Sequence, residues 1–132
     1  MALVVPDTST WARRTQPPVA ELLSKAIERN DVVIAVPVLL ELLWSARSGR
    51  DSTDQALEYD ALRQVELTAA IGRRAITVQA LLALRGHHRG PSPNDLLIAA
   101  SAEAAGAELW HCDRDFELIA EVTGQLQRRV GE

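Results

Sequence analysis

Four acidic side chains occupy positions from which they could form one site. Asp7 and Asp113 each directly follow a short apolar run, Asp95 stands near the start of an alanine-rich segment, and Glu41 is embedded among large apolar side chains. Carboxylates that are brought together repel one another, and an isolated buried carboxylate is costly, so such a group needs a partner or a cation. Hard divalent ions such as Mg²⁺ and Mn²⁺ prefer oxygen ligands and suit this set.

Each of these acids also has an ordinary structural explanation when it is considered alone. Asp7 can cap a turn after a strand, and Asp95 can be the acidic residue that a helix dipole favours in its first turn. Glu41 can lie on the surface of an amphipathic helix, and Asp113 and Asp115 can be turn residues. Their joint placement, rather than any single residue, indicates a site.

The elements that must position these acids are predicted by the hydrophobic patterns. In chain order the patterns predict a strand over residues 2–5, a helix over 17–30, a strand over 31–36, a helix over 37–49, a polar helix over 52–65, one or two helices over 68–88, a helix over 92–106, a strand over 107–112, a short helix over 115–124 and a strand over 125–130. Ser92 is expected to be an N-cap with Asp95 at the third helical position, and Ser52 with Gln55 could form a capping box.

This order of strands and helices predicts an α/β fold with a mostly parallel sheet, in a single domain that spans residues 1–132. Ligand sites in such folds lie at the carboxyl ends of the strands. Asp7 and Asp113 follow the first and third strands, and Glu41 lies just over one turn into the helix after the second. The acids are therefore expected at one edge of the sheet.

Several other kinds of active site have no signature in the sequence. It has no Walker A motif, no G-x-G-x-x-G motif and no nucleophile elbow. His87 and His88 are adjacent in a loop, and His111 is expected to face away from Cys112 on a strand, so no zinc-binding spacing is present. The single cysteine cannot form an internal disulfide, which fits a reducing compartment.

The charge and hydropathy of the chain limit the classes of partner that it is expected to bind. A formal net charge of −4 argues against a general polyanion-binding protein. Thirteen of the 14 basic residues are arginine, which either suits phosphate contacts or reflects GC-rich coding. No apolar run reaches the roughly 20 residues that span a bilayer, and the N-terminus lacks a signal peptide, so we expect a cytoplasmic protein without membrane contact.

Three segments, VVPDTSTW, VPVLLELLW and PSPNDLLIAASAEAAGAELWHCDRDF, resemble the PIN-domain family and, within it, the VapC-type toxins of bacterial toxin–antitoxin modules. The resemblance covers nearly the whole chain. Its most specific parts are D-T-S near the N-terminus, D-x-x-I-A-A-x-A at the start of a helix, and D-x-D-F after a strand. It implies a three-layer α/β/α sandwich and a metal-dependent endoribonuclease.

The resemblance also implies roles for individual residues. The catalytic acids of the family fall on Asp7, Glu41, Asp95 and Asp113, and the ligands of Mg²⁺ or Mn²⁺ on Asp7, Asp95 and Asp113. Glu41 would ligate the ion or orient the attacking water.

Two further positions match residues that support the family's site. Ser9 matches a hydroxyl residue that supports the first aspartate, and Asp115 matches a second acid that acts through water or a hydrogen bond. His111 departs from the pattern, because many relatives carry threonine there.

The partners implied by the resemblance are an RNA substrate, with tRNA as one candidate, a cognate VapB-type antitoxin and a second copy of the chain in a homodimer. Arg85, Arg89 and Arg114 are candidates for RNA phosphate contacts or are solvated loop charges. Trp11 and Trp44 could stack on bases or belong to the core. The rival functions are a binding module with weak or lost catalysis, and a metal-dependent DNA nuclease or phosphatase that uses the same acids.

Overall fold

The computed structural model describes residues 2–131, which form five strands and seven helices. The strands are β1 (Val4–Pro6), β2 (Val33–Ala35), β3 (Arg63–Val65), β4 (Glu108–His111) and β5 (Gln127–Arg129). The helices are α1 (Thr8–Trp11), α2 (Pro17–Glu28), α3 (Val36–Trp44), α4 (Gly49–Asp60), α5 (Ala69–Leu84), α6 (Pro93–Ala104) and α7 (Arg114–Thr123).

All strand pairs are parallel, and they place the ends of β1 and β4 side by side. One sheet has the order β1-β4-β5, and β2 pairs with β3. A parallel bridge between Val4 and Val32 joins the two, which gives the spatial order β3-β2-β1-β4-β5. Where β1 ends, the N–H of Asp7 donates to the carbonyl of Trp110 at 2.9 Å. The carboxyl ends of both strands therefore lie next to each other at the same edge of the sheet.

Helices cover both faces of the sheet, which confirms the predicted α/β/α sandwich. Successive side chains of a strand point to opposite faces, and β4 shows this alternation. Trp110 lines a cavity with Leu22 of α2 on one face. The ring of His111 packs against Phe116 of α7 on the other, with 5.5 Å between ring centroids. Both β1 and β2 are buried along their whole length, as expected for strands covered on both sides.

The polar helix that is predicted to begin at residue 52 begins about one turn earlier in the structure. Helix α4 begins at Gly49 after the N-cap Ser48, whose hydroxyl accepts from the N–H of Asp51 at 3.1 Å. The capping box expected from Ser52 and Gln55 is therefore absent, since both lie inside the helix. The Gln55 amide instead donates to Asp51 Oδ2 at 3.0 Å.

Three other segments differ from the predicted elements. The polar helix expected over residues 52–65 ends at Asp60, and its last part forms the edge strand β3, whose first two residues are exposed. The segment over 68–88, predicted as one or two helices, forms the single helix α5, which already ends at Leu84. The turn expected at Asp7 begins the four-residue helix α1. Within residues 2–131, no helix is both long enough and apolar enough to traverse a bilayer.

Candidate metal centre

Two of the acids begin helices at the ends of adjacent strands. Asp7 is the N-cap of α1, where its Oδ1 accepts from the backbone N–H of Thr10 at 3.2 Å and from the hydroxyl of Ser9 at 2.6 Å. Asp113 is the N-cap of α7, where its Oδ1 accepts from the N–H of Asp115 at 2.9 Å. Aspartate is favoured at this position because its short side chain satisfies an N–H that has no partner within the helix.

The other two acids reach the same place from helices. Asp95 lies in the first turn of α6, at the predicted third position after the N-cap Ser92, and the two residues form a capping box. The N–H of Asp95 donates to Ser92 Oγ at 3.1 Å, and its Oδ2 accepts from the N–H of Ser92 at 3.0 Å. Glu41 lies on α3 and accepts from the hydroxyl of Thr8 at 2.9 Å. Thr8 was not singled out from the sequence, although it directly follows Asp7 in the D-T-S motif.

Three carboxylates come close enough to share one ion. Oxygen atoms of Asp95, Asp113 and Asp115 all lie within 4.8 Å of one another. Asp7 and Glu41 are not members of this group, but both interact electrostatically with Asp95. Asp95 is therefore the acid that connects the others.

The protonation equilibria of these acids reflect their burial and mutual repulsion. Asp7 is only 4% exposed, and burial raises its pKa to about 6 against the lowering effect of its hydrogen bonds, with a further upward contribution from Asp95. Burial also raises the pKa of Asp95, and the charges of Asp113 and Glu41 add to this rise. The pKa of Asp115 is raised by burial and by the charge of Asp113.

A second aspartate in the same helix position shows that capping alone does not account for Asp95. Asp51 is the third residue of α4, and its N–H donates to the N-cap serine at 3.1 Å, the same distance as in α6. The pKa of Asp51 is lowered by the backbone N–H of Arg47, whereas the pKa of Asp95 is raised. The two carboxylates thus share a structural role but differ in electrostatic environment.

A sequence model described as PIN domain matches residues 4–122. The chain belongs to the PIN domain family. Ribonuclease VapC2 of Mycobacterium tuberculosis (strain CDC 1551 / Oshkosh) is 44% identical over 126 residues, which cover 94% of this chain and 89% of that protein.

Solved structures share the fold of this PIN domain. VapBC2 from Rickettsia felis, bound to a DNA fragment from its promoter, aligns with a TM-score of 0.78 at 18% identity over 98% of this chain and 99% of that one. VapBC-5 from Mycobacterium tuberculosis, a member of the VapBC family of toxin–antitoxin systems, aligns with a TM-score of 0.62 at 21% identity over 100% of both chains.

Two side chains of the PIN domain fix the loop that carries Asp113. The hydroxyl of Ser9 accepts from the N–H of Cys112 at 2.9 Å while it donates to Asp7. The imidazole Nδ1 of His111 accepts from the N–H of Asp113 at 3.2 Å. This residue is 1% exposed, and burial lowers its pKa, which favours the neutral ring that the hydrogen bond requires.

The candidate RNA-contact arginines lie at different distances from the acids. Arg114 is the exposed first residue of α7, and its charge opposes the rise in the pKa of Asp115. Arg89 precedes Gly90, where an added Cβ would lie 3.5 Å from Asp115 Oδ1, so this loop runs beside the site. Arg85 is exposed after α5, and no hydrogen bond or ion pair within residues 2–131 connects it to the carboxylates.

The two tryptophans named as base-stacking candidates have opposite environments. Trp11 is 5% exposed and packs edge-to-face against Tyr59 with 5.4 Å between ring centroids, so it belongs to the core and cannot stack on a base. Trp44 is 88% exposed at the end of α3 and is not a core residue.

Proposed function

We propose that this PIN domain is a metal-dependent endoribonuclease and the toxin of a toxin–antitoxin pair. The observation that carries the proposal is the group of three carboxylates, Asp95, Asp113 and Asp115, whose oxygens lie within 4.8 Å of one another. The named activity of the 44% identical relative, a ribonuclease, supports RNA as the substrate.

The donor set fits a hard divalent cation, because every candidate ligand atom is a carboxylate oxygen. Asp95 and Asp113 would hold Mg²⁺ or Mn²⁺, with Asp7 on the buried side and Asp115 as a further ligand or a hydrogen-bond acceptor. When bound, the ion activates water and offsets charge on the scissile phosphate. It would also relieve the repulsion from Asp113 and Glu41, which adds to the rise that burial causes in the pKa of Asp95.

The remaining residues of the site would orient the reactants. Glu41 is held by the hydroxyl of Thr8 and would accept a hydrogen bond, and then the proton, from the attacking water. The water oxygen forms the new bond to phosphorus, the bond from phosphorus to the leaving ribose oxygen breaks, and solvent protonates that oxygen. Arg114 and Arg89 would contact flanking phosphates.

We further propose that the toxin binds an antitoxin of the VapB type and forms homodimers. The description of VapBC-5 as a toxin–antitoxin system supports the first of these partners. tRNA is one candidate substrate.

The experiment that tests the activity compares substrates with and without metal. Protein stripped with EDTA is incubated with RNA, single-stranded DNA and p-nitrophenyl phosphate, and Mg²⁺ or Mn²⁺ is then restored. We expect metal-restored cleavage of RNA alone. Cleavage that persists in EDTA would exclude the metal mechanism, and selective hydrolysis of DNA or of the monoester would favour a rival function.

The toxin assignment has a separate test in cells. Induction of the chain should arrest growth, and the protein encoded next to it should relieve the arrest. Sequencing of RNA ends shortly after induction would identify the cleaved RNA. Normal growth at good expression would refute toxicity without affecting the assignment of the metal site.

A further inference from the structure

A groove of about 670 Å³ runs beside Glu41. Its lining includes Thr8 and Glu41, which belong to the site already described, and Asn94, the neighbour of Asp95. Leu40 and Trp44 of α3 also line it. A substrate strand that crosses the carboxylates can therefore continue directly into this groove.

Two large apolar side chains that line the groove are exposed to solvent. Leu40 is 62% exposed and Trp44 is 88% exposed, and residues four apart lie on the same side of a helix. The other two tryptophans, Trp11 and Trp110, are each only 5% exposed. An exposed aromatic face of this kind suits a flat ligand, and bases of unpaired nucleotides stack on tryptophan irrespective of their sequence.

The charge of the protein explains why a nuclease would need such a surface. The net charge is −4 and the site itself is acidic, so general attraction of phosphates cannot hold RNA there. Arg14 is the positively charged residue among the described residues that line the groove. Arg14 is an exposed residue, and its guanidinium is anchored, since Nη1 donates to the carbonyl of Trp11 at 2.8 Å. Arginine has five N–H donors, which leaves others for a phosphate.

We propose that this groove binds one unpaired nucleotide of the RNA substrate next to the cleaved bond. The base stacks on the indole of Trp44, and a neighbouring phosphate contacts Arg14. This inference rests on the proposed ribonuclease function, and it names single-stranded RNA as the substrate class. The groove volume lies within the range of about 300–1,000 Å³ that is usual for small-ligand sites.

The test combines steady-state kinetics with tryptophan fluorescence. A ten-nucleotide single-stranded RNA is cleaved in Mg²⁺ by the native protein, by Trp44→Phe and by Trp44→Ala. The controls are Ile76→Ala and Arg73→Gln, which change exposed residues of α5 outside the groove. We expect Trp44→Ala to raise KM by about 5-fold to 150-fold at unchanged kcat, because this is the range for one stacked base. Trp44→Phe keeps an aromatic face and should stay within about threefold of the native KM.

Arg14→Gln tests the phosphate contact separately. The slope of log affinity against log salt concentration should become shallower by about 0.7, the value for one phosphate of a single strand. Arg73→Gln should leave that slope unchanged.

Fluorescence reports on the groove even if cleavage fails. Because Trp11 and Trp110 are buried, acrylamide quenching of the native protein reports mainly on Trp44. The RNA, added with Ca²⁺ in place of Mg²⁺, should protect this fluorescence. Protection without any cleavage in Mg²⁺ would support the groove and refute the proposed function. Cleavage with native KM in Trp44→Ala would refute the groove alone. Protection by the protein encoded next to this chain, but not by RNA, would also refute it and assign the groove to that partner.

Discussion

The hydroxyl of Ser9 accepts a hydrogen bond from the backbone N–H of Cys112 at 2.9 Å, although the two residues are 103 positions apart. The same hydroxyl donates to Asp7 at 2.6 Å. One side chain therefore sets the distance between the acid that follows β1 and the loop that carries Asp113 and Asp115. Ser9 supports the site as a whole rather than Asp7 alone.

Replacement of Ser9 by alanine should weaken metal binding and the fold together. The Cys112 N–H loses its partner, which costs about 1–3 kcal/mol in the free energy of unfolding. Affinity for Mn²⁺ should fall by about 10-fold to 100-fold, as is typical when a group that orients a ligand is removed. Urea denaturation and calorimetric titration measure these changes. Ser24→Ala alters an exposed serine and serves as the control. Native Mn²⁺ affinity in Ser9→Ala would show that Ser9 has only a structural role.

Asp95→Asn and Asp51→Asn separate a metal ligand from a helix cap. Both aspartates follow an N-cap serine by three residues, but the pKa of Asp51 is lowered and that of Asp95 is raised. In metal-free protein at neutral pH, Asp51→Asn should therefore lower the free energy of unfolding, and Asp95→Asn should not. Of these two aspartates, only Asp95 has a carboxylate oxygen within 4.8 Å of oxygens of Asp113 and Asp115. We expect Asp95→Asn to lower Mn²⁺ affinity and RNA cleavage by at least about 100-fold, and Asp51→Asn to leave both at native values. Equal activity of the two variants would show that Asp95 acts only as a helix-capping residue.

The raised pKa of Asp7 predicts how stability depends on pH in protein freed of metal by EDTA. Below about pH 4 the side chain is protonated in both the folded and the unfolded state, so its burial carries no charge penalty. Between that pH and the folded pKa of about 6, the unfolded chain releases the proton more readily, and the free energy of unfolding falls. The loss amounts to roughly 3 kcal/mol at pH 7.5.

Asp7→Asn should remove this pH dependence. The asparagine oxygen can still accept from Ser9, so the variant should be more stable than the native protein at pH 7.5 and equal to it near pH 4. Asp51→Asn is a control in which the pH dependence of stability has the opposite sign. The pKa of Asp51 is lowered, so the stabilisation that its ionised carboxylate provides is lost as the pH falls. Parallel stability curves for native protein and Asp7→Asn in urea titrations would contradict the raised pKa.

The acids could be placed from the sequence because strand ends and helix starts are local features. Asp7 and Asp113 follow apolar runs, and parallel strands bring their carboxyl ends to one edge. The N-cap Ser92 with Asp95 at the third helical position is likewise a pattern within four residues. Glu41 could be singled out because it is a carboxylate among apolar side chains just over one turn into the helix after the second strand. Its contact with Thr8 spans 33 positions and has no local signal.

Other features depend on tertiary contacts that the sequence does not display. β3 is an edge strand whose residues Arg63 and Gln64 are exposed, so it lacks the alternation that identifies a strand. Ser48 and Ser52 are both of a residue type that caps helices, and in the structure Ser48 is the N-cap of α4. Trp44 resembles a core residue because its neighbours in α3 are apolar, but it faces the groove.

His111 lies two residues before Asp113, and two substitutions can separate the effect of its hydrogen bond from that of its packing. Its Nδ1 accepts from the N–H of Asp113, while its ring packs on Phe116. His111→Asn supplies an acceptor oxygen near the position of Nδ1 but loses the ring, and His111→Leu keeps apolar bulk but loses the acceptor. Both should lower the free energy of unfolding, because each removes a contact of a buried side chain.

The two variants should differ in Mn²⁺ affinity. If His111 positions Asp113, His111→Leu should lose about 10-fold to 100-fold in affinity and in kcat, whereas His111→Asn should stay near the native values. Calorimetric titration measures the affinity, and hydrogen exchange of the Asp113 amide reports directly on the bond, which should exchange faster only in His111→Leu. Equal losses in both variants would show that the ring acts through packing, and native affinity in His111→Leu would show that Asp113 needs no such support.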